Sequence, residues 1–344
     1  MAPTLLDPLL ERALDARAAW LADPAHESAC RLFHGFAEGC PALAVDLYAT
    51  TVVLHDYTEA PDEGAALVAA ALPVLRARLP WLRAGVLKTR RGPGAQEKRG
   101  VLLFGDSPDR QVREHGVWYA IDLQMNRDAS LYLDTRNLRL WAIQNLRGRR
   151  VLNTFAYTGS LGVAALAGGA AHVVQLDRNP RFLEIARASG ALNALPDDMH
   201  ECLVGDFFPA IARLKRSGRR FDGVVVDPPF FSATDRGVVD LATNSTRLIN
   251  KVRPLINDGG SLVVINNALF VSGRAFHASL ETLCADGYLE IAELIPVPDD
   301  FTGTAATRVG GPPITDPAPF NHATKIAVLR VRRKPAAGGL AVDR

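Results

Sequence analysis

The chain has 344 residues, 48% of them hydrophobic and 22% charged, with a formal net charge of +2. That length suffices for two domains, and the composition is that of a globular protein. The near-neutral charge removes any global basic field that would demand nucleic acid, while leaving a local patch open. Cys30, Cys40, Cys202 and Cys284 are scattered, with no CxxC pair or Cys/His ligand spacing, so neither a zinc site nor a disulfide framework is expected. The N-terminus has no basic region followed by an apolar core, and no long apolar run occurs. The reading is a soluble cytoplasmic protein with no membrane partner and no metal.

Leu5, Leu9, Leu10, Ala13, Leu14 and Ala18 recur at helical spacing, and residues 4–40 read as two amphipathic helices. Leu43–His55 is strand-like and Ala65–Arg78 helical. Two strands, Gly85–Thr89 and Gly100–Phe104, flank the turn-forming Arg90-Arg91-Gly92-Pro93-Gly94. Gln111–Leu123 reads as a hairpin turning near His115-Gly116. These elements make residues 1–125 a small α+β accessory domain. A helix over Thr135–Leu146 leads into the strand Arg150–Thr154. Strands and helices alternate from there to Asp286, and two late β segments follow, Leu289–Pro296 and Lys325–Arg332. The alternation predicts an α/β, Rossmann-like, doubly wound parallel sheet over residues 126–333, with 334–344 as a disordered tail. Between the late β segments, the Pro/Gly-rich stretch Val297–Thr324 reads as a lid or binding loop.

The chemistry concentrates between Val151 and Phe231. The strand Arg150–Thr154 runs into the small-residue turn Phe155-Ala156-Tyr157-Thr158-Gly159-Ser160 and then a helix. Small residues let backbone N–H groups approach a ligand closely, and a helix N-terminus favours an anion. The next strand ends on Asp177, about 20 residues on, where this fold holds ribose hydroxyls. The turn is not GxGxxG, which disfavours a pyrophosphate dinucleotide. Asp206 follows the third strand; an acid there accepts from an adenine amino group, and the apolar residue after it, Phe207, packs on the ring. The buried strand Phe221–Val226 ends in Asp227-Pro228-Pro229-Phe230. Two prolines fix the backbone there, so that the Asp227 side chain and the carbonyls face the reacting group while Phe230 stacks on a flat acceptor. A strand ending in (D/N)PP(aromatic) downstream of such a unit resembles motif IV of class I S-adenosylmethionine (SAM) methyltransferases acting on nucleobases and similar planar groups.

A wider set of motifs carries a closer resemblance. In order they are Val86-Leu87-Lys88-Thr89-Arg90, Gln96-Glu97-Lys98, Leu131-Tyr132-Leu133-Asp134-Thr135-Arg136, Leu152 through Ser160, Asp227 through Ser232, and Asn266-Asn267. Over roughly residues 85 to 270 the chain resembles the guanine-N7 methyltransferase module acting on bacterial 23S ribosomal RNA, and the related large-subunit cytosine-C5 methyltransferases. The resemblance implies SAM as cofactor, with Asp134 and Arg136 against its methionine end and Phe155, Tyr157, Thr158 and Gly159 lining it from the turn. It implies Asp177 on the ribose, Asp206 with Phe207 on the adenine, and Asp227, Pro228, Pro229 and Phe230 at the transfer site. It also implies RNA as partner, met by the basic hairpin Lys88, Arg90, Arg91, Lys98 and Arg99, whose charges suit phosphates. Thr135 stands where that family usually has His, and Phe230 where relatives often carry Ser, Thr or Lys. The segment from Asp300 to His322 has no counterpart in it.

Acceptor chemistry narrows the choice. Methylating pyrimidine C5 needs a cysteine thiolate adding to C6, and no cysteine closely follows Pro229 or lies between Leu262 and Ser272. Guanine N7 is already a lone-pair nucleophile with no proton to lose, so it needs in-line placement and no obligatory base. Asp227, the Pro-Pro backbone, Phe230 and Asn266 suit that, and would equally suit an exocyclic amine. The expected activity is therefore SAM-dependent methylation of a ribosomal RNA base, guanine N7 before cytosine C5. The alternatives are a methyltransferase for a protein side chain or small molecule, with Val297–Thr324 as substrate lid, and a binding protein without turnover.

Overall fold

The computed structural model describes residues 5–92, 94–229, 231–234, 237–310 and 316–333, with backbone alone for 231–234 and 237–245. The chain forms two compact units: Met1–Asn137 with Ala188–Ala194 and Val297–Ile314, and Leu138–Arg187 with Leu195–Pro296 and Thr315–Arg344.

The first unit contains α1 (Leu6–Ala16), α2 (Ala18–Leu21), β1 (Ala29–His34), α3 (Gly35–Glu38), β2 (Leu43–Tyr48), β3 (Thr51–Asp56), α4 (Pro61–Arg78), β4 (Ala84–Thr89), α5 (Ala95–Arg99), β5 (Val101–Phe104), β6 (Gln111–Glu114) and β7 (Val117–Ala120). Strands β1 to β5 pair in sequence order. All their pairings are antiparallel except β3 with β4, where α4 makes the crossover. Leu6, Leu10, Ala13 and Leu14 of α1 join Leu67, Val68, Ala71 and Leu75 of α4 in one core with Leu32, Val45, Val52 and Leu54. The second amphipathic helix read from the sequence is instead largely the strand β1. Short apolar runs do not separate helix from strand by periodicity, and Arg31, which looks like a helix-surface charge, is buried against its ladder partner Asp46 (Nε–Oδ1 2.7 Å). The strand-like Leu43–His55 is likewise two strands, broken at Ala49, whose φ is +53°.

An ion-pair network ties Val297–Ile314 into this unit. Asp300, in α12 (Asp299–Thr302), accepts from Arg136 (Nη1–Oδ1 2.6 Å, Nη2–Oδ2 3.2 Å) and from the Arg31 amide (3.0 Å). Arg136 also donates to the Ala29 carbonyl (2.7 Å) and to Glu114 (3.3 Å). Thr302 and Thr307 are buried too, and Thr307 donates to Glu38. The first half of the stretch expected as a lid is thus a built-in strap, because it carries the counter-ion of a buried arginine.

The second unit starts with most of α6 (Arg136–Asn145). It continues with β8 (Arg150–Thr154), α7 (Ser160–Ala167), β9 (His172–Asp177), α8 (Pro180–Leu192), β10 (His200–Val204), α9 (Phe207–Arg216), β11 (Phe221–Val226), the hairpin β12 (Phe231–Thr234) and β13 (Gly237–Asp240), α10 (Leu241–Val252), β14 (Ile256–Asn266), α11 (Gly273–Cys284), β15 (Leu289–Ile295) and β16 (Lys325–Val331). The last turns of α8 fall in the first unit, where Asn193 donates to the Trp118 carbonyl (2.7 Å) and accepts from its amide (2.9 Å). The sheet order is β10-β9-β8-β11-β14-β16-β15. The first five strands are parallel; β16 is antiparallel to both neighbours. Residues alternate between two cores: Val224, Val226, Leu262 and Val264 join α9, α10 and α11, while Val225, Val263 and Ile265 join α6 and α7. Helices cover both faces, which is why the strands read as unbroken apolar runs. The α/β doubly wound sheet expected from the sequence is what forms, with the late β segments as its closing antiparallel pair.

Removing one partner of a buried ion pair strands the other charge, at about 3–5 kcal/mol. Asp300→Ala should lower stability by that order, with a matching fall in the denaturation midpoint followed by circular dichroism. An unchanged midpoint would mean the Arg136 network contributes nothing to the fold.

Candidate cofactor and methyl-transfer site

Sheet order reverses between β8 and β11, and in open α/β sheets ligands lie beyond the carboxyl ends of the strands at such a switch point. Register lines up the candidate residues along that edge. Val204 pairs with Asp177, Thr154 with Leu176, Val226 with Thr154, and Val226 with Val264. The edge therefore reads Asp206 after β10, Asp177 ending β9, the Phe155–Gly159 turn after β8, Asp227 after β11 and Asn266 ending β14. At about 4.8 Å per strand, Asp177 and Asp227 are two strand spacings apart, roughly 10 Å. Thr154 Oγ1 donates to the Val225 carbonyl (2.7 Å), locking the two central strand ends together.

The turn is held in an uncommon shape. Phe155, Tyr157 and Gly159 have φ of +55°, +50° and +75°, a region that bulky side chains rarely adopt and that costs about 1–3 kcal/mol each for a non-glycine residue. What holds it is specific. The Tyr157 amide donates to Asp177 Oδ2 (2.8 Å), the Ala156 amide to the Leu176 carbonyl (2.9 Å) and Gln175 Nε2 to the Gly159 carbonyl (2.8 Å). The Phe155 ring stacks on Phe207 (centroids 4.7 Å apart, 18° between planes), and Tyr157 meets Phe182 edge-on (4.6 Å). Gly159 has no substitute: a Cβ there would strike Ala186 Cβ and the Gln175 amide. Gln175 and Asn153, its own partner (2.8 Å), give no signal in the sequence, since a buried amide within a strand carries no motif.

Asp177 also accepts from the Asn179 amide (2.9 Å). Burial pushes its carboxyl above the ordinary carboxylate range, and the backbone N–H groups of Asn179 and Tyr157 oppose that only in part. Asp206 occupies the N-cap position of α9 with extended backbone, yet its side chain makes no capping hydrogen bond, so its carboxylate is not spent on the helix. Val204, beside Asp177 on the ladder, is 48% exposed at the end of the half-buried edge strand β10. A cradle of this kind fits SAM. It offers an acid that could accept two hydroxyls, a second acid that makes no helix cap and has an apolar neighbour, and a glycine turn at a helix N-terminus that would suit a carboxylate.

Asp227 is half-buried, Pro228 buried and Pro229 exposed; Phe230 lies outside the described residues. Asn266 is buried and accepts the Ala268 amide at Oδ1 (3.0 Å). Opposite it on β16, Lys325 donates to the carbonyls of Ala268 (2.9 Å) and Val271 (2.6 Å), and burial brings its ammonium down to about 8. Lys325 is hidden in the sequence because it sits at the head of an ordinary apolar strand.

Asp134 and Arg136 belong to the first unit. There all three guanidinium nitrogens of Arg136, expected against the methionine end of the cofactor, are engaged by Asp300, Glu114 and Ala29. The basic hairpin needs a correction at Lys88. That side chain is fully buried, donates to the carbonyls of Arg99 and Asn126, and is pushed down by burial to about 8. It is an internal tie and offers no charge to a phosphate. Arg90 pairs with Asp128 (2.8 Å) and Arg91 with Glu59, while Lys98 is half-buried and Arg99 exposed on α5. Among the described residues no group of His, Cys, Asp and Glu could hold a metal, and no helix is long and apolar enough to cross a membrane.

The raised carboxyl of Asp177 sets the sign of a pH dependence. Accepting both ribose hydroxyls needs the ionised form, so SAM affinity should be full above the raised pKa and decline on acidification before an ordinary carboxylate would protonate. In calorimetry Asp177→Asn should bind weakly at every pH and lose the slope; a variant that keeps wild-type affinity would remove Asp177 from the ribose site.

Comparison with known proteins identifies the family. The profile of the S-adenosylmethionine-dependent methyltransferase family matches residues 31–305. Ribosomal RNA large subunit methyltransferase I of Photobacterium profundum is 26% identical over 263 residues, 76% of this chain and 66% of that protein. Its Escherichia coli O139:H28 counterpart is 28% identical over 269 residues, 78% and 68% of the two chains. The chain thus spans about two thirds of the length of these relatives. The crystal structure of SMU.776 complexed with SAH superposes with a TM-score of 0.82 at 22% identity, covering 96% of this chain and 82% of that one. The chain belongs to the S-adenosylmethionine-dependent methyltransferase family.

Proposed function

We propose that this SAM-dependent methyltransferase modifies a base of large-subunit ribosomal RNA, and that the methylated atom is guanine N7. The RNA class is supported by the names of the relatives, ribosomal RNA large subunit methyltransferases. The observation that carries the acceptor atom is where the thiols lie. Addition of a thiolate to C6 is what makes pyrimidine C5 nucleophilic. Cys30 and Cys40 are buried in the first unit's core, and burial pushes Cys30 up to about 12. Cys202 is in the middle of β10, and Cys284 ends α11, the helix that runs back from the ligand edge; burial raises both thiols. None closely follows Pro229 or lies between Leu262 and Ser272.

SAM supplies a methyl group on positively charged sulfur. Guanine N7 presents an in-plane lone pair and carries no proton, so the protein's task is placement and exclusion of water. Asp177 and Asp206 hold the nucleoside half and the Phe155–Gly159 turn the methionine half. Asp227 and the two fixed prolines shape the acceptor wall, and Phe230 is the stacking residue proposed beside them. Tritiated-methyl transfer from SAM onto 23S ribosomal RNA from a strain lacking the gene, followed by nucleoside mass spectrometry, tests the reading. It requires 7-methylguanosine. 5-Methylcytidine would overturn the choice of atom, and labelling of protein or a small molecule instead would overturn the choice of substrate.

Two variants separate the roles. Asp227→Ala should cut single-turnover rate by roughly 10²-fold through poorer placement while leaving SAM affinity near wild type; a change confined to SAM affinity would put Asp227 on the cofactor and not the acceptor. Charge reversal at Arg91, Lys98 and Arg99 should flatten the salt dependence of RNA binding by about one unit of slope for each phosphate no longer neutralised. An unchanged slope would remove the hairpin from RNA recognition.

A further inference from the structure

The loop that joins β14 to α11 leaves the ligand edge one strand away from Asp227, and it carries two adjacent exposed apolar side chains. Leu269 is 75% and Phe270 90% exposed. Single exposed apolar residues are ordinary; a pair at the tip of a pinned loop beside a transfer site is not. The pinning is on both sides of the pair. Ala268 is fully buried, its amide bonded to Asn266 Oδ1 and its carbonyl accepting from the Val271 amide (3.3 Å) and from Lys325. The Val271 carbonyl accepts from the same ammonium, and Ser272 caps α11 through the Ala275 amide (3.0 Å). Gly273, next in line, is packed so tightly on the Asp316 carbonyl that no Cβ would fit. Buried Lys325 thus clamps a rigid base from which Leu269 and Phe270 project.

We propose that Phe270 stacks on a nucleobase neighbouring the methylated one, and so selects and positions the target nucleotide in the RNA substrate; this rests on the RNA reading above. Three features favour that occupant. A ring offers its face to any base, a contact that is tolerant of sequence and needs no hydrogen-bond partner. The tip continues the edge that already carries Asp227 and Asn266. Arg274, in the first turn of α11, pairs through Nε with Asp316 (3.2 Å) yet keeps 87% of its side chain exposed, and so places charge where the phosphate accompanying the base would lie.

Full-length wild type, Phe270→Ala, Phe270→Tyr and Phe270→Leu are compared for tritiated-methyl transfer to deproteinised 23S ribosomal RNA lacking the modification, with SAM affinity followed by calorimetry. Removing one base–aromatic stack should lower kcat/KM of Phe270→Ala by roughly 5- to 150-fold, with SAM affinity unchanged. Phe270→Tyr should keep most activity, and Phe270→Leu, apolar but not planar, should not. Wild-type rates for Phe270→Ala, or equal rescue by Leu and Tyr, would overturn the stacking role while leaving the RNA reading intact. No transfer to RNA by the wild type would overturn both.

Discussion

The turn after β8 depends on one carboxylate. Asp177 takes the Tyr157 amide on one oxygen and the Asn179 amide on the other, and so joins the end of β9 to a backbone that would not hold its left-handed residues unaided. Two bulky residues at positive φ cost about 1–3 kcal/mol each; a hydrogen bond to a charged group returns about 1.5–3 kcal/mol, and the Phe155–Phe207 stack adds to it. The same carboxylate is the ribose acid of the proposed cofactor site. Structure and binding therefore draw on one group, and its burial keeps water from competing for it, at the cost of a raised pKa. Strain of this kind persists where the surroundings over-determine it, which is typical of ligand sites.

The remainder of the edge follows from sheet topology. Parallel strands in register place Asp206, Asp177, the turn, Asp227 and Asn266 in one row, so the spacing needed by an extended cofactor is set by strand separation and not by loops. Lys325, on the antiparallel strand beside β14, anchors the far end of that row. A rigid scaffold carrying short functional segments is what methyl transfer to a lone pair asks for, since the rate then depends on placement.

Much of the second unit was legible in the sequence because it is locally encoded. The apolar runs of Arg150–Thr154 and Phe221–Val226, the small-residue turn and the prolines after Asp227 each announce themselves within ten residues. The first unit was less legible for the opposite reason. Arg31 and Lys88 look like surface charges until Asp46 and two backbone carbonyls are seen around them. Asp300, read as part of a lid, is the counter-ion of Arg136, 164 positions away along the chain. Long-range pairing of buried charges leaves no periodicity. Gln175 and Lys325 stay hidden on the same ground: a polar residue in a buried strand is explained only by the carbonyl it meets.

The central claim is that the cofactor lies along the strand ends with its ribose on Asp177, its adenine toward Asp206 and Phe207, and its sulfur facing Asp227. A crystal structure of the protein with bound S-adenosylhomocysteine tests it most directly. The account predicts both ribose hydroxyls within hydrogen-bonding distance of the Asp177 carboxylate, adenine against Phe207, and the sulfur on the Asp227-Pro228 side of the turn. A ribose that makes no contact with Asp177, or a cofactor reversed along the edge, would contradict it.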